Sequence, residues 1–329
     1  MTKKTTLIDI AKKLNVSKTL VSLVLNGKGK QYRINPETSG KVLALAKKLN
    51  YKPNQMARGL RTGKSKTIGL IVSDISNPLF ASLCRHIEDL AESNDYHVVM
   101  ASSDENPRRL RTAIETMLSK NMDGFVIVPT ERSLASLQFL ASRKKPFVCI
   151  DRTPEKNRYS YVTSDNYKGA FNGVQKLIEK GYRKIAFAGL SNHLSNHNER
   201  FRGYMDALKY NHLEADPGLI VRMPFHSLKK EMRSAMKALL LQHPDALFFA
   251  NNTLAIEGLT VLHESSLFLP VCTFDNDPSF FFYQGSMVVI EQSFRKMAEE
   301  AMNMLNEKIK KLSSTEKQIT IETTYREIH

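Results

Sequence analysis

The side chains best equipped for chemistry in this 329-residue chain stand just after short apolar runs. Phe80 lies in Ser73-Asp74-Ile75-Ser76-Asn77-Pro78-Leu79-Phe80, beyond the run 68–72. Asp104 follows 97–101, and Asp151-Arg152 follows 147–150. Arg200 lies in Glu199-Arg200-Phe201-Arg202-Gly203-Tyr204, beyond 184–188. Asn251 follows 246–249, and Asp275 follows 271–274. Planar guanidinium groups, carboxylates and an amide form a hydrogen-bonding set for a polyhydroxylated or charged small molecule, and Phe80 can supply a wall. Each residue also has a plainer use. Arg200 can pair with Glu199 or cap a helix, Asp275 can start a turn, and Asn251 can be an N-cap. Their recurrence at successive run ends favours one shared site.

Signatures of common enzyme chemistry are missing from the sequence. It holds no G-x-S-x-G, Walker-loop or H-E-x-x-H pattern, and its first apolar run is not followed by G-x-G-x-x-G. No catalytic residue and no cofactor are assigned. His193 and His197 are spaced as two ligands on one helix face, but no third ligand is near, and no metal is expected. Cys84, Cys149 and Cys272 are odd in number, widely spaced and set among apolar residues, as suits buried free thiols in a reducing cytoplasm.

The elements that must position these side chains follow from the pattern around them. Apolar runs at 68–72, 97–101, 124–128, 147–150, 184–188, 246–249, 271–274 and 287–290 alternate with helical periodicity near 79–93, 107–120, 166–180, 199–211, 227–241, 253–264 and 293–311. Such alternation predicts parallel sheets covered by helices on both faces. In these sheets ligands bind beyond the carboxyl ends of the strands, where the residues above are found. Residues 318–322 can add an edge strand.

Charge separates the chain into two parts. Residues 1–66 carry sixteen Lys/Arg against Asp9 and Glu37 alone, whereas the remainder is nearly balanced, although the whole chain is +15. A small basic module on a neutral body points to a polyanion partner for the module, since neutralised phosphates release condensed counterions. No secretory leader is evident at the start, and no run of about 18 apolar residues occurs, so neither export nor a membrane partner is expected.

Within the basic module, Leu7, Ile10, Ala11 and Leu14 recur at helical spacing after Thr6, with Asp9 at the capping-box position. Asn15 can end that helix in the left-handed conformation. Ser17 then caps a second helix that Gly27 stops. A third helix fits 36–49, with Val42, Leu43, Leu45, Ala46 and Leu49 turned inward. Three short helices with a tight first turn make a helix-turn-helix, although a bundle this small can also be a protein-interaction module. The second helix is the one expected in a major groove, with Ser17, Lys18, Thr19 and Ser22 facing base edges and Leu23 beside them.

The string TLIDIAKKLNVSKTLVSLVLNGKG resembles the helix-turn-helix of the lactose/galactose repressor (LacI/GalR) family, and YKPNQMARGLRTG resembles that family's hinge. The resemblance implies a hinge helix formed on DNA, capped by Asn54, carrying Ala57 and Arg58, and wedging Leu60 into the minor groove. Thr6, Asn26 and Tyr32 complete the DNA-facing set. Two departures stand out: Leu23 replaces the arginine that the family commonly uses to read guanine, and the segment 28–38 is longer than usual, with Lys30, Tyr32 and Arg33 placed for extra backbone contacts.

The body resembles the same family's periplasmic-binding-protein-like core over nearly its whole length. The resemblance implies an all-α helix-turn-helix headpiece followed by an α/β bilobal body of two doubly wound parallel sheets facing across a cleft. The corresponding domains are 1–52, a hinge 53–66, and an effector-binding and dimerisation domain 67–329. Arg200 and Asp275 become the leading effector contacts, then Asn251, then Phe80, Asp104, Asp151 and Arg152. Residues 265–271 are shorter than the family norm, which affects how the following strand enters. The implied protein is a cytoplasmic transcriptional regulator, a repressor by the family's common outcome, controlled by a sugar or sugar phosphate. Its partners are a pseudo-palindromic double-stranded DNA operator and a second copy in a homodimer, and no leucine heptad follows Leu312 to build a tetramer. Two alternatives share the pattern: a solute-binding protein, against which the basic headpiece argues, and an α/β enzyme with a nucleic-acid-binding module, which turnover of a bound compound would reveal.

Overall fold

Helix boundaries in the basic module follow its capping residues. In the computed structural model, which describes residues 5–51, 64–155, 158–312 and 315–328, α1 (Leu7–Leu14) opens on a capping box. The Thr6 hydroxyl accepts from the Asp9 amide, and the Thr6 amide donates to Asp9 Oδ2 at 2.8 Å. Asn15 ends the helix at φ 52°. Ser17 caps α2 (Lys18–Leu25) by accepting from the Leu20 amide at 3.1 Å, and Gly27 at φ 72° reverses the chain beyond it. Asn35 caps α3 (Pro36–Lys48), with Pro36 in the first turn, where its missing N–H costs nothing. Ile10, Ala11, Val21, Val24, Val42 and Ala46 form the core of this bundle. Leu43, expected inside, is 52% exposed; Val42 and Ala46, four residues apart, already fill the inner stripe.

The chain divides into two compact units, Met1–Ser65 and Lys66–His329. The larger unit contains two sheets. The first lobe runs through β1 (Thr67–Val72), α4 (Pro78–Glu92), β2 (His97–Ser102), α5 (Pro107–Ser119), β3 (Gly124–Ile127), α6 (Leu134–Ser142), β4 (Phe147–Asp151) and β5 (Tyr161–Ser164). Next come α7 (Asn166–Glu179), β6 (Ile185–Leu190), α8 (Ser195–Tyr210), β7 (Ile220–Met223), α9 (Leu228–Leu240), β8 (Ala246–Phe249), α10 (Asn252–Glu264), β9 (Val271–Phe274) and β10 (Met287–Glu291). The chain closes with α11 (Phe294–Ile309), β11 (Gln318–Ile321) and β12 (Thr324–Ile328). Strand order is β11-β5-β4-β3-β1-β2 in one sheet and β12-β10-β9-β8-β6-β7 in the other. Every pairing is parallel except β10 with β12.

The lobes exchange helices. α7 follows β5 of the first sheet, yet its Ala170, Val174 and Leu177 lie in the core of the second lobe. α11 follows β10 of the second sheet, yet its Met297, Ala301 and Leu305 lie in the core of the first. The lobes are therefore joined by three chain crossings, after β5, β10 and β11, and the carboxyl ends of both sheets meet between them. Close packing of α7 on α8 depends on Gly203, where an added Cβ would sit 2.4 Å from the Tyr167 carbonyl oxygen.

Candidate functional site

Between the lobes, the ends of the two sheets line a cavity of about 50 Å³. The first lobe contributes Asn77, Leu79, Phe80, Asp151 and Arg152, with Phe294 from the start of α11. The second contributes Asn196, His197, Arg200, Asn251, Asn252, Asp275 and Gln292. An adjoining cavity of about 350 Å³ shares Leu79, Asp275, Gln292 and Phe294 and adds Asn276, Glu291, Ser293 and Thr324. Six of the seven effector-site residues expected from the sequence thus line one cavity: Phe80, Asp151, Arg152, Arg200, Asn251 and Asp275.

Arg200 is 2% exposed and fixed from three sides. Its Nε donates to Asn166 Oδ1 at 2.7 Å, its Nη1 donates to the Ala250 carbonyl at 2.7 Å, and its guanidinium lies 3.8 Å over the Phe274 ring. Pairing with Glu199 is not its role, since Glu199 bonds Arg202. Asp151 and Asp275 stand at matching places in the two lobes. Each ends or follows a strand, each has a positive φ (70° and 68°), and each is buried. Two carboxylates held in the left-handed region at facing strand ends are a local cost of about 1–3 kcal/mol each that the surrounding fold sustains. Asp275 Oδ1 accepts from Gln292 Nε2 at 2.7 Å. Burial pushes the Asp275 carboxyl up to about 6, against the opposing pull of Arg200 and Gln292, and raises Asp151 as well.

Arg152 has different surroundings. It is 4% exposed, and Glu105 binds it in a fork, Nη2 to Oε1 at 2.6 Å and Nη1 to Oε2 at 2.8 Å. Nη1 also donates to the Pro129 carbonyl at 3.0 Å, and Nε stands 3.4 Å from Asp151 Oδ2. Asn251 caps α10 by accepting from the Leu254 amide at 2.9 Å, so its plainer use is realised at the cavity wall. Three buried polar atoms around the cavity lack a hydrogen-bond partner among the described residues: His197 Nδ1, Gln292 Oε1 and Arg152 Nε. Burial first, then Arg200, Arg152 and Arg222, hold His197 well below the ordinary histidine range, so its imidazole is neutral. Unpartnered buried groups of this kind are costly unless water or a ligand satisfies them.

Asp104 corrects the sequence expectation. It does not line the cavity but pairs with Arg109 on the surface. The acid that turns inward is its neighbour Glu105. The remaining lining residues escape the sequence reading, although Gln292 follows β10 in the same way that Asp275 follows β9, so the strand-end rule applies to it equally. Spacing presents His197 only as a metal ligand; among the described residues no group of three His, Cys, Asp or Glu is placed to hold a metal ion. The three cysteines are buried and free. No helix among the described residues is long and apolar enough to cross a membrane.

In the small unit, Thr6, Ser17, Lys18, Thr19, Asn26 and Tyr32 are exposed, and Ser22 and Leu23 are half-buried. Ser17, Lys18 and Thr19 stand at the start of α2, where unpaired amides and the helix dipole favour an anion, and no acid occupies that first turn. Asn26 Nδ2 donates to the Ser22 carbonyl at 2.6 Å, which turns it back on its own helix. Asn54, Ala57, Arg58 and Leu60 lie outside the described residues.

Comparison with known proteins gives two family matches. Residues 6–54 match the model of bacterial regulatory proteins of the lacI family, and residues 65–269 match the model of periplasmic binding proteins and the sugar-binding domain of the LacI family. The chain is 29% identical over 312 residues to catabolite control protein A of Priestia megaterium, covering 93% of each chain. It is 29% identical over 312 residues to the sucrose operon repressor of Klebsiella pneumoniae, covering 94% of this chain and 93% of that one. The crystal structure of the lac repressor dimer bound to operator and an anti-inducer superposes over 98% of both chains with a TM-score of 0.85, at 20% identity.

Proposed function

We propose how this chain, which belongs to the LacI family of bacterial regulatory proteins and is a DNA-binding transcriptional regulator, joins its cavity to its headpiece. A small polar effector of the sugar or sugar-phosphate class binds between the lobes, held by Arg200 and Asp275, with Asp151, Asn251 and Gln292 around it and Phe80 as a wall. Its occupancy changes the lobe arrangement and so the operator affinity of a cytoplasmic homodimer that represses transcription from a pseudo-palindromic site. The observation that carries this reading is the buried, incompletely satisfied polar set at the carboxyl ends of both sheets. Ser17, Lys18, Thr19, Ser22 and Leu23 read bases, and Thr6, Asn26 and Tyr32 support the backbone contacts. The cavity's role is binding rather than catalysis, in keeping with relatives that are regulators; turnover of a bound sugar would overturn that part.

The test begins with selection of bound sites from a random DNA pool at two salt concentrations. An enriched pseudo-palindrome supplies the operator; salt-sensitive binding without a motif refutes sequence-specific regulation. Sugars and sugar phosphates are then screened for a change in operator affinity. Arg200→Ala is expected to abolish that response while operator binding persists, and an unchanged response removes Arg200 from the site.

A further inference from the structure

The effector cavity holds two guanidinium groups, and the protein treats them differently. Arg200 commits Nε and Nη1 to Asn166 and Ala250, and Nη2 has no hydrogen-bond partner among the described residues. Arg152 has both terminal nitrogens on Glu105 and one of them also on Pro129, all within the first lobe. The Glu105 side chain is 12% exposed and that of Arg152 is 5%, so water does little to screen the pair. Backbone geometry brings this about. Asp104 and Glu105 are consecutive non-glycine residues in the left-handed region, at φ 49° and 54°, a conformation that costs energy and needs support. The Asp104 amide supplies part of that support, donating to the Ser73 carbonyl at 2.7 Å. This turn sends Asp104 outward to Arg109 and Glu105 inward to Arg152.

The rest of the site has the same electrostatic sense. Asp151 and Asp275 flank Arg200. Arg222, the next cation, donates to the Leu190 and Asn192 carbonyls instead of entering the cavity. The adjoining 350 Å³ cavity is lined by Asp275 and by Glu291, whose carboxylate pairs with Arg326 at 2.9 Å, and no lysine, arginine or histidine lines it among the described residues. The unpartnered atoms inside are of both kinds: Gln292 Oε1 accepts, Arg152 Nε is a donor 3.4 Å from Asp151 Oδ2, and His197 Nδ1 does one or the other by tautomer. A phosphate brings mostly acceptors and about two negative charges, so it would meet one available guanidinium, that of Arg200, and the two buried carboxylates of Asp151 and Asp275. Hydroxyl groups both donate and accept, and they match every one of these atoms.

We infer that Glu105 is a specificity-determining residue that occupies Arg152 and closes the cavity to anions, so that the effector is an uncharged polyhydroxylated compound and not its phosphate ester. This rests on the reading of the cavity as the effector site. Glu105 acts through Arg152 and touches no ligand itself.

The experiment uses the full-length protein, with calorimetric titration and thermal unfolding. Probes are glucose, fructose and ribose, their monophosphates, and inorganic phosphate, applied to wild type, Glu105→Gln and the double variant Glu105→Gln/Arg152→Gln. Wild type is expected to bind no monophosphate more tightly than its parent sugar. Glu105→Gln removes the charge and one of the two acceptor oxygens from the Arg152 fork and is expected to bind inorganic phosphate at least about tenfold more tightly than wild type, the gain from one charged hydrogen-bonded contact. The double variant should lose that gain. A sugar phosphate preferred by wild type over its parent sugar overturns the inference, and that measurement needs no variant to fold. A folded Glu105→Gln that gains no phosphate affinity overturns the role of Glu105. Failure of every sugar to alter operator binding counts against the effector reading, whereas the phosphate gain of Glu105→Gln is scored without DNA and decides the gating separately.

Discussion

Replacing Asp275 with asparagine should make the protein more stable and its effector response weaker. In the folded chain the Asp275 carboxyl is pushed from 3.8 up to about 6, chiefly by burial, with Arg200 and Gln292 offsetting part of the cost. A raised carboxyl means that the folded state binds its proton more tightly than the unfolded chain does, so this residue lowers stability as pH rises through the interval between those values. A difference of about two units corresponds to about 3 kcal/mol, fully expressed by about pH 7 and roughly half expressed at about pH 5. The asparagine of the Asp275→Asn variant keeps the shape and an acceptor for Gln292 but carries no charge, and it removes the penalty. Urea unfolding of wild type and variant between about pH 5 and 8 is the assay, followed through the larger unit's far-ultraviolet signal. The variant's advantage should grow from low to neutral pH and then level off. An advantage that is absent at the alkaline end, or independent of pH, refutes the claim that Asp275 is held ionised at a cost to folding. The same linkage gives the sign for ligand binding: hydroxyls that donate to an ionised Asp275 should bind more tightly as pH rises through about 6.

Replacing Lys18 with alanine should change base preference in a selection experiment; a uniform loss over all sequences would make it a phosphate contact. Leu60→Ala should weaken specific DNA binding more than nonspecific binding, measured by competition with random DNA, and equal losses remove the wedge role. Ile10→Ala should cost the headpiece about 2–5 kcal/mol, because Ile10 is fully buried in a core of few residues, and unchanged thermal unfolding of that unit contradicts the packing described.

Much of this architecture was legible because periodicity and capping agree. Thr6 with Asp9, Asn15, Ser17 and Gly27 set the headpiece helices, and the eight apolar runs each became a strand with ends shifted by a residue or two. The elements missed are those without such a signal. β5 ends in the polar Thr163 and Ser164, and β7 and β12 are edge strands with partly exposed, mixed side chains, so neither presents an apolar run. α6 is apolar nearly all round and opens without a side-chain cap at Ser133. Leu43 is expected inward because an apolar residue next to Val42 fits a wide stripe, but a helix this small buries only a narrow one. Within the candidate site, strand-end position pointed to Asp151 and Asp275, and the helix that follows β6 supplied Arg200. Strand-end position could not choose between Asp104 and Glu105, since which of two adjacent acids turns inward depends on a backbone turn that their sequence does not announce.

The size of the cavity bears on how occupancy can act. About 50 Å³ has room for one or two waters, whereas small-molecule sites of this kind run from about 300 Å³ upward. The adjoining cavity of about 350 Å³ reaches Asp275 and Gln292 but neither Asp151 nor Arg200, so a ligand that also contacts those two requires the lobes to part or the wall to move, and the exchange of α7 and α11 between lobes allows the first to happen without breaking either sheet. The Thr153 amide, donating to Ser195 Oγ at 2.9 Å, is one contact made between the lobes that such a motion would release. Lining residues come from both lobes, so a ligand that binds Asp151 and Arg200 together prefers one separation over others. It can shift the arrangement only by its difference in affinity between the two, and the same difference, typically about 1–3 kcal/mol, must then appear in its effect on the operator. Buried groups without a protein partner among the described residues, His197 Nδ1 and Gln292 Oε1 among them, can supply that difference by favouring whichever lobe separation brings ligand hydroxyls within hydrogen-bond reach.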